Sequence, residues 1–257
     1  MKTALITGAS GGIGLELARL FARDQYNLIL VARRGDRLEE IKKELMTRHN
    51  IQVHLICKDL AAIDAAEDVF EVIINQKLDV DFLVNNAGLG DYGFFYKSDW
   101  RKTAQMIQLN IVTLTQLTRL FLPRLIAQKE GWILNVASTA SFLPGPLMSV
   151  YYATQAYVLS FSAALSNELQ GSGVKVSILC PGPTVSGFQE AAQMSKSRLN
   201  KMKVMFPAKA VARYGYQSLF RGKLVAIPGF LNKMIPLLVR LLPRKMITTM
   251  IRNISAE

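Results

Sequence analysis

Two hydroxyl side chains of types that can act in proton transfer lie in the middle of the chain. Ser138 ends the apolar segment WILNVAS, and Tyr151 follows thirteen positions later at the start of the helical segment YYATQAYV. A tyrosine hydroxyl can donate a proton, and a serine hydroxyl can hold the receiving oxygen by a hydrogen bond. Gln155 stands four residues after Tyr151, so the two side chains share one helix face. Tyr151 is therefore a candidate proton donor, with Gln155 as its neighbour on the helix.

Gln155 is an uncharged neighbour for a proton-donating tyrosine. A free phenol has a pKa of about 10, so it exchanges protons at neutral pH more easily beside a cation. A cation about 5 Å away, in an effective dielectric of about 20, would contribute roughly 3 kcal/mol, or about 2 pKa units. The Gln155 amide carries no charge, although it can donate and accept hydrogen bonds. We therefore expect the proton step to be about 10²-fold slower than with a cation there.

A glycine-rich segment, TGASGGIG, occupies residues 7–14 between an apolar run and a helical pattern. Glycine allows a sharp turn and a close approach of the backbone to a pyrophosphate, and a helix start offers free N–H groups to the phosphates. The alternative is a plain tight turn, but the strand–turn–helix context favours dinucleotide binding. The residues expected to contact the dinucleotide here are Gly8, Ser10, Gly12, Ile13 and Gly14.

The second apolar run ends in VARRGD, with Arg33 and Arg34 where a site for NAD would have an acidic residue. An acidic side chain there would bind a ribose 2′-hydroxyl, whereas a guanidinium suits a 2′-phosphate with bidentate geometry. The alternative interpretation is a solvated charge pair at a helix entry. The pattern favours NADP as the cofactor.

These residues must be positioned by an alternation of buried strands and helices. Continuously apolar runs are typical of strands covered on both faces, and helical crossovers make such strands parallel. The pattern therefore predicts an α/β fold, a doubly wound parallel sheet with helices on both faces, in a single domain over residues 1–257. The predicted strands are residues 3–7, 27–32, 53–57, 82–86, 132–138 and 174–180, and two predicted helices are residues 13–24 and 37–49.

The composition is that of a globular protein with a sizeable core. Of the 257 residues, 50% are hydrophobic and 19% are charged, which excludes a disordered chain. No signal-peptide pattern is visible, and no run reaches about 18 uninterrupted apolar residues, so we expect a cytoplasmic protein without a spanning helix. Cys57 and Cys180 each end an apolar run, so core thiols are expected rather than a disulfide. No metal site is predicted.

In their order along the chain, these motifs resemble the short-chain dehydrogenases/reductases of the one-domain, classical type. The resemblance covers about residues 3–190. It rests on TGASGGIG, Asp59 and Leu60 in KDL, Asn85, Asn86, Ala87 and Gly88, Asn110 in QLNIVT, the spacing of Ser138 and Tyr151, and Pro181, Gly182 and Thr184. It implies a Rossmann-type fold, with the adenine at Asp59 and the nicotinamide amide at the segment that begins with Pro181.

The resemblance also implies the reaction, which is hydride transfer between a nicotinamide and a ketone, an aldehyde or a secondary alcohol. Tyr151 would act as the general acid, Ser138 would hold the substrate oxygen, and Asn110 would position a water in the proton relay. The family has a lysine where this chain has Gln155, and that lysine also binds the nicotinamide ribose. Gln155 would keep the ribose contact without the charge, so weakened activity is expected.

Three explanations of Gln155 stay open on the sequence. The first is a natural variant in a slow enzyme, or in one that takes a cation from another position. The second is a deliberate substitution that traps a complex. The third is an NADP-binding protein that has lost its chemistry, which is the least attractive because Asn110, Ser138 and Tyr151 are all present.

The last quarter of the chain carries the positive charge. The formal net charge is +12, and residues 191–256 contain thirteen Lys or Arg and no Asp or Glu. Residues 186–206, with Phe188 and several methionines, are expected to form a substrate lid for a lipophilic carbonyl compound, or to be ordinary helix core. The basic amphipathic tail, residues 229–257, has four candidate partners: an anionic membrane surface, an acidic acyl carrier, a second subunit or the body of the protein.

Charge alone would also suit a nucleic acid, but no recognisable nucleic-acid motif accompanies it, so no such partner is predicted. By resemblance to the family, a homodimer or tetramer is expected, assembled through long helices that begin near Arg101 and Tyr151. The alternative to an enzyme is a non-catalytic NADP-binding protein. In either case the basic tail would allow peripheral association of a cytoplasmic protein with a membrane.

Overall fold

A computed structural model describes residues 1–194 and 205–256 of the chain. The strands in these ranges are β1 (Thr3–Thr7), β2 (Asn27–Ala32), β3 (Val53–Cys57), β4 (Phe82–Asn85), β5 (Gly131–Val136), β6 (Val174–Leu179), β7 (Thr184–Val185), β8 (Phe206–Pro207) and β9 (Val225–Ala226). Seven of them form one parallel sheet in the order β3-β2-β1-β4-β5-β6-β9, and β7 pairs with β8 separately. The order confirms the predicted doubly wound, Rossmann-type sheet.

The long strands are those that the apolar runs predict, because both faces of the sheet are covered. Every residue of β1 is buried, as are five of the six residues of β2. The predicted bounds of β1, β2 and β3 match the structure, while the other predicted strands differ at their ends by one or two residues. The short strand β9 was not predicted, since two residues carry no periodicity and only pairing with Ile178 and Leu179 of β6 makes them a strand.

Ten α-helices lie in the described ranges: α1 (Gly12–Arg23), α2 (Gly35–Arg48), α3 (Ala65–Asn75), α4 (Trp100–Ile107), α5 (Leu114–Ala127), α6 (Ser149–Glu168), α7 (Phe188–Ala191), α8 (Ala208–Phe220), α9 (Phe230–Leu241) and α10 (Arg244–Ser255). Side chains of α1, α2 and α8 pack on one face of the sheet. Those of α3, α5 and α6 pack on the other face. Helices therefore cover both faces, as predicted.

The strand order reverses between β1 and β4, and the site elements meet at this reversal. β1 pairs with β2 on one side and with β4 on the other. In doubly wound sheets a binding crevice forms outside the carboxyl ends of the two strands at such a switch point. The glycine-rich loop after Thr7 and the NNAG segment that begins at Asn85 both leave the sheet at this crevice.

One wide helical turn interrupts the long helix that follows the NNAG segment. The turn is a π-helix over Gln108–Thr113, between α4 and α5. Such turns are rare and are frequently found at functional sites. Asn110 lies in the turn and is 2% exposed. The helix that the resemblance places near Arg101 is therefore two α-helices joined by a π-helical turn.

The structure describes different fractions of the two functional segments expected after Thr184, the lid and the basic tail. Of the expected lid, residues 186–206, the structure describes residues 186–194, which include α7, and residues 205–206. Residues 195–204, with Lys196, Arg198, Lys201, Met202 and Lys203, lie outside the described residues. The expected tail is described from residue 229 to residue 256 and consists mainly of α9 and α10.

The two cysteines have different environments. Both thiols are free, as expected. Cys180 is fully buried, but Cys57 is exposed, so the expectation of a core thiol at Cys57 was wrong. Cys57 ends β3, which is an edge strand of the sheet, and its Sγ lies 3.2 Å from the Arg33 carbonyl oxygen. The last residue of an edge strand has fewer neighbours to cover it, which an apolar run does not reveal.

Candidate active site

The glycine-rich loop has a backbone that only glycine fits comfortably. Gly8 has a φ of +66° and Gly12 a φ of +54°, in the left-handed region that other residues rarely adopt. At Gly14 the constraint is space, because a Cβ there would lie 2.4 Å from both the Gly8 carbonyl oxygen and Asn86 Nδ2. The loop therefore passes tightly against the NNAG segment, and α1 begins at Gly12 directly after it.

Thr7 links this loop to the NNAG segment by hydrogen bonds. Its hydroxyl accepts from the backbone N–H groups of Asn86 at 2.9 Å and Ala87 at 3.0 Å. In return, Asn86 Nδ2 donates to the carbonyl oxygens of Thr7 at 2.9 Å and Gly8 at 3.3 Å. Thr7 was not among the predicted site residues, although it opens the quoted motif. Its position before the first glycine was the available signal.

The two arginines after β2 stand beside the same loop. Arg34 Nη2 lies 3.3 Å from Ser10 Oγ and 3.4 Å from the Ser10 carbonyl oxygen. Arg33 is also exposed, at the carboxyl edge of the sheet next to Arg34. Two exposed guanidinium groups and one hydroxyl are thus available beside the loop. This arrangement suits an anion with several oxygens.

Asp59 and Leu60 follow β3 on the same edge of the sheet. The Asp59 carboxylate is exposed and accepts from the backbone N–H of Ala61 at 3.0 Å. Leu60 is 5% exposed, and its carbonyl oxygen accepts from the hydroxyl of Thr113 at 2.8 Å. The π-helical turn therefore fixes the backbone at Leu60, while the Asp59 side chain stays accessible at the surface.

Asn110 holds the loop after β4 against α6. Its Oδ1 accepts from the Leu89 N–H at 2.9 Å, and its Nδ2 donates to the Leu89 carbonyl oxygen at 2.8 Å. Nδ2 also donates to the Thr154 hydroxyl at 3.0 Å, and that hydroxyl donates to the Tyr151 carbonyl oxygen at 2.8 Å. Both Nδ2 hydrogens are therefore used. The side chain positions the helix turn that carries Tyr151.

Ser138 and Tyr151 are brought together as the spacing predicts. Ser138 follows β5 and caps a 3-10 helix over Thr139–Phe142, where its Oγ accepts from the Ala140 N–H at 3.1 Å. The Ser138 hydroxyl also lies 3.4 Å from the Pro181 carbonyl oxygen. Tyr151 lies in the first turn of α6, and the Ser138 side chain is near enough to lower the pKa of the Tyr151 hydroxyl. Strand β5 and helix α6 thus place the two hydroxyl side chains near each other.

The electrostatic surroundings of Tyr151 are neutral. Burial raises the pKa of Tyr151 well above its ordinary value of 10.0, and the nearby Ser138 side chain opposes this rise only in part. Tyr152 and Cys180 raise that pKa slightly further. Within residues 1–194 and 205–256, no Lys or Arg lowers the pKa of Tyr151. A cation from another described position therefore does not replace the missing charge.

Gln155, on the same helix as Tyr151, has an unsatisfied polar atom. The residue is 5% exposed, one turn after Tyr151 on α6. Its Oε1 is buried and has no hydrogen-bond partner within the described structure. A buried carbonyl oxygen without a partner costs roughly 1–3 kcal/mol. Such an atom is suited to accept a hydrogen bond from a ligand hydroxyl.

The segment after β6 is joined to the basic tail. The Thr184 hydroxyl donates to the Gly182 carbonyl oxygen at 2.9 Å, and Gln189 Nε2 donates to the Thr184 carbonyl oxygen at 2.6 Å. A Cβ at Gly182 would lie 2.6 Å from Asn232 Nδ2, so helix α9 packs directly on this turn. Gln189 and Asn232 were not predicted, and no pattern in the sequence marks them.

An apolar cluster covers Tyr151 on the side of the expected lid. Met148 and Met194 are buried in it, with Phe188 and Tyr152 packed against them. The ring centroids of Tyr151 and Phe188 are 5.2 Å apart. Side chains from the described part of the expected lid therefore contact the ring of Tyr151 and give its surroundings an apolar character.

Apart from Asp59 and Leu60, which follow β3, the predicted residues fall into two groups at the carboxyl edge of the sheet. The first lies at the glycine-rich loop and contains Gly8, Ser10, Gly12, Ile13, Gly14, Arg33, Arg34, Asn86, Ala87 and Gly88. The second lies near Tyr151 and on the turn after β6, and contains Asn110, Ser138, Gln155, Pro181, Gly182 and Thr184. In the described ranges no three His, Cys, Asp or Glu side chains are grouped so that they could hold a metal ion.

One known protein family matches most of this chain. A family model described as short chain dehydrogenase matches residues 2–197. The chain belongs to the short-chain dehydrogenase family. Members of this family that resemble the chain bind a nicotinamide cofactor and catalyse oxidation or reduction, and the chain is accordingly an oxidoreductase of this family.

Individual relatives in the short-chain dehydrogenase family support the same assignment. The chain is 30% identical over 214 residues to very-long-chain 3-oxoacyl-CoA reductase-B of Danio rerio, which is 82% of this chain and 66% of that protein. It therefore spans about two thirds of the length of that relative.

Two solved structures share the fold of this short-chain dehydrogenase. One is a short-chain dehydrogenase from Sphingobium yanoikuyae in complex with NADPH, with a TM-score of 0.83, 30% identity, and coverage of 90% of this chain and 89% of that chain. The other is the bulky-bulky ketone specific alcohol dehydrogenase from Comamonas testosteroni, with a TM-score of 0.79, 27% identity, and coverage of 95% and 96%.

Proposed function

We propose that this short-chain dehydrogenase uses NADP(H) to interconvert a lipophilic ketone or aldehyde and its alcohol. The observation that carries the proposal is the placement of Ser138 at the end of β5 and of Tyr151 in the first turn of α6, near enough for Ser138 to lower the pKa of Tyr151, with the unsatisfied Gln155 Oε1 one helical turn further on. A proton donor, an oxygen-binding hydroxyl and an acceptor for a ribose hydroxyl then lie near one another, with apolar side chains packed against Tyr151.

The choice of NADP over NAD rests on the charge beside the glycine-rich loop. Arg34 reaches Ser10, and Arg33 lies next to it, both exposed at the end of β2. A 2′-phosphate offers several oxygens to guanidinium and hydroxyl donors, whereas a ribose 2′-hydroxyl needs an acceptor. The loop suits the diphosphate as well, because the left-handed backbone at Gly8 and Gly12 leads directly into the first turn of α1, whose N–H groups can meet an anion.

In the proposed reaction Tyr151 supplies the proton. When bound, the nicotinamide supplies or receives the hydride at the carbonyl carbon. The raised pKa of Tyr151 keeps its hydroxyl protonated at neutral pH, so the donor form is present, but it is a weaker acid than a phenol beside a cation. Ser138 donates a hydrogen bond to the same substrate oxygen. Its present contact with the Pro181 carbonyl oxygen is 3.4 Å long and is readily given up.

Gln155 and Asn110 act on this step in different ways. Gln155 Oε1 would accept from a hydroxyl of the nicotinamide ribose, which satisfies the buried atom. We infer that Gln155 takes the ribose-binding part of the role that a lysine has in the family, without the charge. Asn110 is a positioning residue, since its amide is bonded to Leu89 and Thr154.

A lipophilic substrate is proposed from the apolar cluster around Tyr151. Met148, Met194 and Phe188 surround the phenol, and methionine side chains adapt to irregular apolar ligands. Similar proteins are named for very-long-chain 3-oxoacyl-CoA reduction and for bulky ketones, which agrees with a substrate that has large apolar groups.

The proposal is tested by binding and turnover on the wild-type protein. NADPH and NADH are titrated by the fluorescence of the reduced nicotinamide, and a panel of long-chain and bulky ketones is then screened for NADPH oxidation. We expect tighter binding of NADPH than of NADH and slow turnover of the apolar ketones. Tight NADPH binding with turnover only of small, polar carbonyls would overturn the substrate class, and equal binding of the two cofactors would overturn the role of the arginines.

A non-catalytic NADP-binding protein is the second candidate, and the neutral surroundings of Tyr151 favour it. It predicts NADPH binding in the wild type and in Gln155→Lys, with turnover only in the variant. Measurable wild-type turnover that Tyr151→Phe abolishes would exclude this candidate.

A further inference from the structure

Helix α9 has its apolar face turned away from the protein. Six large apolar side chains on one face of the helix are exposed: Phe230, Leu231, Met234, Leu237, Leu238 and Leu241. They stand at positions i, i+1, i+4, i+7, i+8 and i+11, which is the spacing of one face of an amphipathic helix. At the two ends of the helix, Phe230 is 76% exposed and Leu241 is 80% exposed. A surface helix normally buries such a face against its own core.

The opposite face of α9 attaches the helix to the candidate active site. Asn232 donates to the Pro228 carbonyl oxygen at 2.8 Å and lies against Gly182. Ile235 and Val239 are on this side of the helix and are partly covered. The orientation of α9 is therefore set by contacts on its less apolar side. Its leucine-rich face is left for another partner.

A second exposed apolar group adjoins the tail. The loop that precedes α4 exposes four aromatic side chains: Phe94, Phe95, Tyr96 and Trp100. The Tyr92 hydroxyl donates to the Ser255 carbonyl oxygen at 2.7 Å, which joins the base of this loop to the end of α10. Helix α10 itself exposes Met246, Met250 and Ile254. We refer to α9, α10 and residues 94–100 together as the outer surface.

The outer surface is strongly basic. Its helices carry five exposed cations, Lys233, Arg240, Arg244, Lys245 and Arg252. The whole region over residues 191–256 lacks Asp and Glu, and in the described ranges none of these five cations is in an ion pair. In the loop over residues 94–100, the positive charge of Lys97 and the negative charge of Asp99 cancel. A second copy of the same surface would bring like charges together, whereas an anionic partner would neutralise them.

We propose that the outer surface docks on an anionic lipid bilayer, with α9 lying in the plane of the interface. Leucine and phenylalanine side chains would enter the acyl region, Lys and Arg would meet the phosphates, and tyrosine and tryptophan suit the headgroup level. Among the described residues, no helix is both long and apolar enough to cross a bilayer. Docking through α9 would hold the candidate active site close to the membrane, because Asn232 on the other face of this helix lies against Gly182.

The test is flotation of the full-length protein with lipid vesicles. The two vesicle types are pure phosphatidylcholine and phosphatidylcholine mixed with phosphatidylglycerol. We expect the wild type to float with the anionic vesicles and to stay in the dense fraction with the neutral ones. Higher salt should release it, because the ions screen the charge attraction. Flotation with neither vesicle type, or equally with both, would overturn the proposal.

Three variants locate the binding on the outer surface. Lys233→Gln/Arg240→Gln should weaken binding about 30-fold, since each cation near an anionic bilayer contributes a several-fold factor. Leu237→Asp/Leu241→Asp should abolish flotation. Ile63→Asp is the matched control, because Ile63 is 78% exposed before α3 and lies outside the outer surface, and it should float like the wild type.

NADPH titration of each variant shows that the fold is intact without using catalytic activity. Unchanged flotation of the charge variant or the leucine variant would refute the surface assigned here. Sedimentation velocity tests the competing explanation, in which a second copy of the chain occupies the leucine face of α9. If the wild type does not bind vesicles and Leu237→Asp/Leu241→Asp dissociates an oligomer, the leucine face is covered by a second copy and the proposal fails.

Discussion

The two ends of the candidate cofactor crevice differ in charge and in how completely their polar groups are paired. At the glycine-rich loop, Thr7 and Asn86 exchange hydrogen bonds, and two exposed arginines stand beside Ser10. Around Tyr151 there is no cation in the described ranges, and Gln155 has an unsatisfied buried oxygen. The loop end is organised before any ligand binds, whereas the Tyr151 end has one atom that needs a partner.

Because of this difference, cofactor affinity and the rate of proton transfer should depend on different residues. The strand–loop–helix geometry at Gly8–Gly14 depends on backbone shape and does not involve residue 155. The acidity of Tyr151 depends on charges within a few ångströms, and there the chain has an amide. A change at Gln155 should therefore alter the rate strongly and cofactor affinity weakly. A change at Arg34 should alter cofactor affinity strongly and the rate weakly.

The largest expected effect is loss of turnover in Tyr151→Phe. Removing the proton donor should reduce kcat about 10³-fold, while NADPH binding changes little because the ring is kept. Steady-state kinetics on the best ketone of the panel and an NADPH titration measure the two effects. Tyr157→Phe is the control, since its hydroxyl bonds only Thr115 at the surface in the described structure, and it should retain the wild-type rate. Retained activity in Tyr151→Phe would remove Tyr151 from the mechanism.

Gln155→Lys should raise kcat about 10²-fold. A lysine ammonium one turn from Tyr151 would contribute roughly 2 pKa units to the acidity of the phenol. Gln155→Met is the matched control, because it has similar length and no charge or hydrogen-bonding amide. It should give no gain in rate and a several-fold loss in NADPH affinity. An equal gain in both variants would show that the electrostatic argument is mistaken.

The pH profile should follow the raised pKa of Tyr151. Reduction needs the protonated phenol, which is present at every pH below that pKa, so kcat for reduction should be flat between about pH 6 and about pH 9. Alcohol oxidation needs the phenolate, so its rate should still be rising above about pH 10. In Gln155→Lys the oxidation profile should move to lower pH by about 2 units. A wild-type oxidation rate that levels off near neutral pH would contradict the raised pKa.

The smallest expected effect is on cofactor choice at the other end of the crevice. Arg34→Ala should weaken NADPH binding about 30-fold and NADH binding less than about threefold, because only NADPH has the 2′-phosphate. Fluorescence titration of both cofactors measures the ratio. Arg37→Ala is the control, since Arg37 is paired with Glu40 at 2.6 Å one turn further along α2. Equal weakening of the two cofactors by Arg34→Ala would argue against a 2′-phosphate site.

Parts of this site follow from short-range patterns, and others do not. The apolar runs predict β1, β2 and β3 residue for residue, since a strand buried on both faces shows its burial directly in the sequence. The order of the motifs also predicts Ser138 and Tyr151 as site residues, and the structure places the two side chains near each other. By contrast, β9 has two residues and exists only by pairing with β6. Exposure of Cys57 depends on the position of β3 at the sheet edge.

The sequence by itself determined the parallel α/β sheet, the family and the uncharged residue one turn after Tyr151. These depend on residue type and on spacing along one chain segment. Only the tertiary structure decided that no described cation replaces the missing charge, that the Asn110 amide is bonded to Leu89 and Thr154, and that α9 turns its leucines outward. Each of these depends on which distant segments lie side by side. An amphipathic pattern shows that a helix has an apolar face, but the packing of the other face determines where that face points.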